Sequence, residues 1–166
     1  MSAVTDAVLG RLVKSVAKQL RAAEQTIATA ESCTGGFLAK CLTDLPGSSD
    51  YFERGWVTYS NEAKTAELGV GTNLLEQGGA VNEAVALAMV RGALSACGAD
   101  HAVAVTGIAG PAGGTPDKPV GTVWIAWGLR RQGRVRVHAE HHRFRGNRDT
   151  VRRRTVAAAL QGLLDS

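Results

Sequence analysis

Apolar residues recur every four positions near the start of the chain, at Val4, Val8, Leu12, Val16 and Leu20, with Leu9 and Val13 widening the stripe. That period predicts an amphipathic helix with one face on a core. The pattern then changes to a short β-prone run, Thr26–Ala30, which leads into Gly35-Gly36. Phe37, Leu38, Cys41, Leu42 and Leu45 resume helical spacing until Pro46-Gly47 stops it. After a loop at 47–50, Trp56–Ser60 reads as a strand. Asn61 suits the N-cap of a short helix over 62–68 closed by Gly69, and 72–77 suits a further helical turn. Asn82 is placed to cap a long helix over 83–97, ended by Gly98.

His101–Val105 reads as a buried strand at the centre of a sheet. Thr106–Gly121 is a Gly/Pro-rich loop, of a length usually tied to function or disorder. Thr122–Leu129 and Val135–Phe144 alternate as the arms of a hairpin turning near Gln132-Gly133, and Asn147 caps a last helix. This order predicts an α/β fold: a three-layer α/β/α sandwich with a mixed, mostly parallel sheet ending in a hairpin, in one domain over residues 1–166. The segments 31–36 and 106–121 leave the C-terminal ends of strands, where such sheets place ligands.

Composition narrows the class. A chain of 166 residues, 45% hydrophobic and 20% charged, buries a core without disulfide or metal staples. Cys33, Cys41 and Cys97 form no C-x-x-C pair, which argues against a disulfide framework and a zinc knuckle. Charged residues are spread through 2–24 and no apolar run has the length of a membrane span, so a cytoplasmic protein without membrane contact is expected. The net charge of +4 is uneven: residues 130–154 hold ten arginines against Glu140 and Asp149, leaving the rest of the chain acidic. Such a region attracts nucleic acid or a phosphorylated small molecule, or is a solvated face. No aromatic platform or nucleic-acid motif accompanies it, so no nucleic-acid partner is expected.

The turn Glu31-Ser32-Cys33-Thr34-Gly35-Gly36 follows a strand and opens a helix. Free N–H groups and the dipole of that helix favour an anion or a developing oxyanion, and Thr34, Gly35 and Gly36 would approach a ligand closely. A plain helix cap fits the same pattern equally well. Cys33 is a chemical candidate for nucleophile at a helix N-terminus. Ser32 would need a base, and Tyr59 or Lys64 offers one, since a desolvated lysine can accept a hydroxyl proton. By spacing alone Lys64 is also an ordinary exposed helix lysine. Thr106, Gly107 and Gly110 open a glycine loop able to present N–H groups to a phosphate, though it is neither a Walker A loop nor a dinucleotide fingerprint. Arg148 starts the last helix, where a guanidinium meets a phosphate bidentately. His138, His141 and His142 do not share one face of a strand, so no metal site is expected there.

Taken together, TAESCTGG (29–36), PGSSDYF (46–52), VTYSNEAK (57–64), GAV (79–81), AVTGIAGPAGGTPDKPVGTV (104–123) and the F-x-G-x-R of 144–148 resemble the CinA C-terminal domain family, in its stand-alone PncC-type form. The resemblance implies hydrolysis of nicotinamide mononucleotide to nicotinate mononucleotide and ammonia, within pyridine-nucleotide salvage, without cofactor or metal, in a homodimer. The motifs support a catalytic set of Ser32 as nucleophile and Lys64, aided by Tyr59, as proton relay, with a non-catalytic nucleotide-binding domain as the alternative. The resemblance implies Thr34, Gly35, Gly36, Ser48, Thr106, Gly107, Gly110 and Arg148 as substrate-binding residues. The stretch Arg145-Gly146-Asn147-Arg148 departs from the Pro-Gly-Asp-Arg common in that family, and Asn147 still suits a helix cap.

Overall fold

The computed structural model describes residues 3–165. Its elements are α1 (Asp6–Ala22), β1 (Ile27–Glu31), α2 (Phe37–Thr43), a 3-10 turn (Ser48–Asp50), β2 (Phe52–Val57), α3 (Asn61–Leu68), α4 (Thr72–Gly78), α5 (Glu83–Ala96), β3 (His101–Gly107), β4 (Thr122–Arg131), β5 (Arg134–Arg143) and α6 (Arg148–Leu164). The sheet order is β2-β1-β3-β4-β5, which puts β3 at the centre as its apolar sequence predicts. β1 pairs in parallel with both β2 and β3, while β4 pairs antiparallel with β3 and β5, so only β4 runs against the rest.

Side-chain parity divides the core in two. Ile27, Val103, Val105, Val123, Ile125 and Trp127 face α1, α2 and α6. The opposite face of the sheet is almost all alanine, with Ala28, Ala30, Ala102, Ala104 and Ala126 against α5. Branched side chains fill the wider gap to the long helices, and methyl groups let α5 lie close on its own side. Among the described residues no helix is long and apolar enough to cross a membrane.

The second strand differs from the expectation. β2 covers Phe52–Val57, shifted from 56–60, because Phe52, Arg54, Gly55, Trp56 and Val57 are the residues in register with β1. One further ladder bond, Thr58 N–H to the Glu31 carbonyl at 2.9 Å, ends the pairing. The N-cap of α3 is Ser60, whose Oγ accepts from Ala63 N–H at 3.0 Å, and Asn61 is the first helical residue. Thr58, Tyr59 and Ser60 therefore form the connection into α3, with Tyr59 past the strand end. Thr106 and Gly107, expected in the loop, extend β3 through pairing with Trp124 and Val123.

The C-terminal ends of β1, β2 and β3 thus meet at one edge, together with the N-termini of α3 and α6. The position of α3 is set by α5: a Cβ at Gly92 would overlap the Leu68 carbonyl, so the two helices touch through backbone. Gly92→Ala is expected to lower stability by about 1–3 kcal/mol, as read by the midpoint of urea denaturation.

Candidate active site

Glu31 is the last residue of β1 and is fully buried on the α2 side of the sheet. Its Oε2 accepts from Leu38 N–H at 3.0 Å and its Oε1 from Ala39 N–H at 2.8 Å. A buried carboxylate is tolerated here because two N–H donors and the positive end of the α2 dipole meet it. The expectation that these N–H groups await an external anion is therefore corrected, since the chain supplies its own. Between Glu31 and α2 the backbone turns through Gly35 (φ 58°) and Gly36 (φ 91°), a left-handed conformation that favours glycine. Gly35 N–H donates to the Ser32 carbonyl at 3.0 Å and Ser32 N–H to the Val105 carbonyl at 3.0 Å. Ser32 is held at both ends and points to the side opposite Glu31.

On that side stands Lys64, which has no solvent exposure, contrary to the exposed reading that its spacing also allowed. Its Nζ lies 3.0 Å from Ser32 Oγ, 2.8 Å from the Thr58 carbonyl and 3.3 Å from the Tyr59 carbonyl. Among the described residues no carboxylate pairs with it. Burial holds its pKa below the usual lysine value of 10.5. In the neutral form two N–H bonds satisfy the two carbonyls and the lone pair faces the Ser32 hydroxyl. The Cys33 thiol beside it is buried and pushed up to about 12, mainly by that burial, so it is a protonated, weak nucleophile at neutral pH.

Tyr59 joins this group in two ways. Its carbonyl accepts from Lys64, while its phenol oxygen accepts from Arg148 Nη2 at 3.0 Å. The phenol is thus bonded to the guanidinium and only the backbone touches the amine. Arg148 Nη1 donates to the Gly110 carbonyl at 2.9 Å, joining α6 to the loop after β3. The end of β3 is tied to the α4–α5 connection by Thr106 Oγ1 donating to the Ala80 carbonyl at 2.7 Å, and the loop after β3 to the end of α4 by Lys118 Nζ donating to the Gly78 carbonyl at 2.6 Å.

Ser32, Cys33, Tyr59, Lys64, Thr106, Gly107, Gly110 and Arg148 line one cleft of about 270 Å³, with Ala80 and Val81 forming part of its wall. Thr34, Gly35 and Gly36 do not line it. Thr34 is fully buried and its carbonyl accepts from Arg152 Nη2 at 2.8 Å. Ser48 sits in the 3-10 turn that precedes β2, at the opposite end of the sheet from Ser32. Glu31 and Ala80 lie within the motifs at 29–36 and 79–81, but residue type alone assigns neither its contact. An acid closing an otherwise uncharged strand was the available signal for Glu31. His138 stacks on Trp127, His141 lies against Trp124, and His142 Nε2 is 3.3 Å from Glu140.

Comparison with known proteins agrees with the fold and with the motifs. The family described as CinA C-terminal domain matches residues 10–166. The protein named "Nicotinamide-nucleotide amidohydrolase PncC" from Pseudomonas putida is 54% identical over 92% of this chain and 93% of its own. The protein of the same name from Escherichia coli (strain K12) is 52% identical over 96% of this chain and 95% of its own. Among solved structures, the competence/damage inducible protein CihA from Agrobacterium tumefaciens superposes with a TM-score of 0.89 at 43% identity, covering 96% of each chain.

Glu31→Ala would leave two buried N–H groups unpaired, so a loss of about 2–4 kcal/mol is expected. Glu31→Gln, which keeps one acceptor, should lose less. Equal denaturation midpoints for the Ala variant and the parent would contradict the capping role.

Proposed function

The chain belongs to the CinA C-terminal domain family, and on that premise we propose that it hydrolyses the carboxamide of nicotinamide mononucleotide to nicotinate mononucleotide and ammonia. The observation that carries the reading is the buried contact of 3.0 Å between Lys64 Nζ and Ser32 Oγ in a chain so similar to proteins named for that activity. Ser32 Oγ attacks the carboxamide carbon while its proton passes to neutral Lys64. The resulting ammonium returns that proton to the nitrogen as the C–N bond breaks and ammonia leaves. Water, deprotonated by the neutral amine, then cleaves the ester on Ser32 to give the carboxylate. The proton path runs directly between Ser32 and Lys64, which are 3.0 Å apart, while the Tyr59 phenol lies against Arg148.

The oxyanion falls to the loop after β3. Gly35 N–H is committed to Ser32, Leu38 and Ala39 N–H to Glu31, and Ile108 N–H to the Thr122 carbonyl at 2.8 Å. Gly107, Ala109 and Gly110 are left facing the same cleft as the nucleophile. Arg148 spends two of its five N–H donors on Gly110 and Tyr59, so three remain for the phosphate of the substrate. On this reading the protein serves pyridine-nucleotide salvage in the cytoplasm, as a homodimer acting on a phosphorylated small molecule without a cofactor.

Ammonia release from nicotinamide mononucleotide tests the proposal. Ser32→Ala should lower turnover by about 10³-fold or more, and full activity in that variant would sink the serine mechanism. Lys64→Met should depress kcat far more than substrate affinity. Nicotinamide riboside should be the poorer substrate, and a preference for it would remove the phosphate role from Arg148.

The pH profile has a fixed sign. Only the unprotonated amine accepts the Ser32 proton, so kcat should rise with pH to a plateau. Burial places the midpoint below 10.5, and loss of activity on raising the pH through that limb would reassign Lys64.

A further inference from the structure

Nicotinamide joined to ribose through its ring nitrogen is a quaternary pyridinium and carries a permanent positive charge. Among the described residues the charged side chains lining the cleft are Lys64 and Arg148, both basic, and no carboxylate lines it. Glu31, next to the nucleophile in sequence, is turned to the other face of the sheet and committed to α2. A cationic ring entering this cleft needs a partner of negative potential, and the face of an aromatic ring supplies one. Tyr59 is the one aromatic residue among those that line the cleft, and it is 58% exposed.

We propose that the ring of Tyr59 is the platform on which the pyridinium ring stacks, so that Tyr59 selects cationic carboxamide rings over neutral ones. The inference rests on the amidohydrolase reading of the same cleft. The order of groups supports it. The carboxamide carbon attacked by Ser32 is bonded directly to the ring, so the ring must lie within a few ångströms of the nucleophile. Ser32 Oγ is 3.0 Å from Lys64 Nζ, which is 3.3 Å from the Tyr59 carbonyl. At the other end of the residue the phenol oxygen is held by Arg148, the proposed phosphate partner. Tyr59 thus spans from the amide end of the cleft to the phosphate end, the span the ring and ribose occupy in the substrate. Its two anchors fix the ring in place before ligand arrives, which reduces the entropy lost on stacking.

The test measures binding by calorimetry in a Ser32→Ala background, where bound ligand is not consumed. The two ligands are nicotinamide mononucleotide and its uncharged C-nucleotide isostere, in which a benzamide replaces the nicotinamide. The parent should bind the cationic ligand about fivefold tighter or more. Adding Tyr59→Phe should preserve that ratio, because the aromatic face remains. Adding Tyr59→Leu should bring it close to one, a change the exposed position tolerates without unfolding. An unchanged ratio in the Leu variant overturns the proposal, as does an equal collapse in the Phe variant, which would assign the preference to the hydroxyl. Failure of the cationic ligand to bind overturns it too. Ammonia release by the wild-type protein is read separately: its absence alongside an intact charge preference rejects hydrolysis while leaving the platform standing.

Discussion

Two hydrogen bonds from the start of α2 to the carboxylate of Glu31 hold the turn on which the cleft is built. α2 has only seven residues, too few for a stable helix without outside support. The carboxylate supplies that support by neutralising the end of the helix where N–H groups are otherwise orphaned. In return the helix makes a buried negative charge tolerable. The left-handed Gly35 and Gly36 close the short distance between strand and helix, and the ladder bond from Ser32 to Val105 fixes the remaining end. The direction of Ser32 Oγ follows from these constraints before any ligand enters.

Strand parity does the rest. Successive residues of a strand face opposite sides, so Glu31 goes to α2 and Ser32 to α3. Were the acid on the α3 side, it would pair with Lys64 and hold the amine in its charged form. Instead the sheet separates them, and Lys64 meets only carbonyl oxygens and a hydroxyl. A lysine desolvated without a counter-charge is biased toward the neutral form, the form with a lone pair to offer. The one-residue offset between Glu31 and Ser32 therefore decides both the stability of the turn and the uncharged surroundings of the buried amine.

This explains which parts of the molecule were legible in the sequence. The helical stripes, the cap at Asn82 and the apolar strand β3 are local patterns, and they correspond to elements of the structure. β2 lies earlier in the chain than Trp56–Ser60 because its register is chosen by β1 across the sheet, which local β-propensity does not express. Ser60 and Asn61 are both good caps, and local propensity does not choose between neighbours. The burial of Lys64 depends on the backbone contact of Gly92 with Leu68, and α3 carries no strong apolar stripe of its own to announce it. The bond between Arg148 and Tyr59 joins residues 89 apart, beyond any local pattern. The division of Tyr59 into a carbonyl that serves Lys64 and a phenol that serves Arg148 is likewise invisible to residue type.

The arginine-rich segment shows how a charge count becomes a geometry. Much of its charge is used inside the fold. Arg130 donates to the Leu94 and Cys97 carbonyls, Arg152 to the Thr34 carbonyl, Arg154 to the Arg145 carbonyl, and Arg153 pairs with Asp6 and Asp149. Of the ten arginines only Arg148 lines the cleft. A uniform basic patch would attract any polyanion, but one guanidinium at one end of a narrow cleft can read only one anionic group. At the other end stands a desolvated amine that avoids charge, and between them lies an exposed aromatic face. On the proposed reading, that order of guanidinium, aromatic face and desolvated amine complements a molecule with an anionic phosphate, a cationic ring and an uncharged amide in the same order. The complementarity lies in their order along the cleft, which the net charge of the chain does not express.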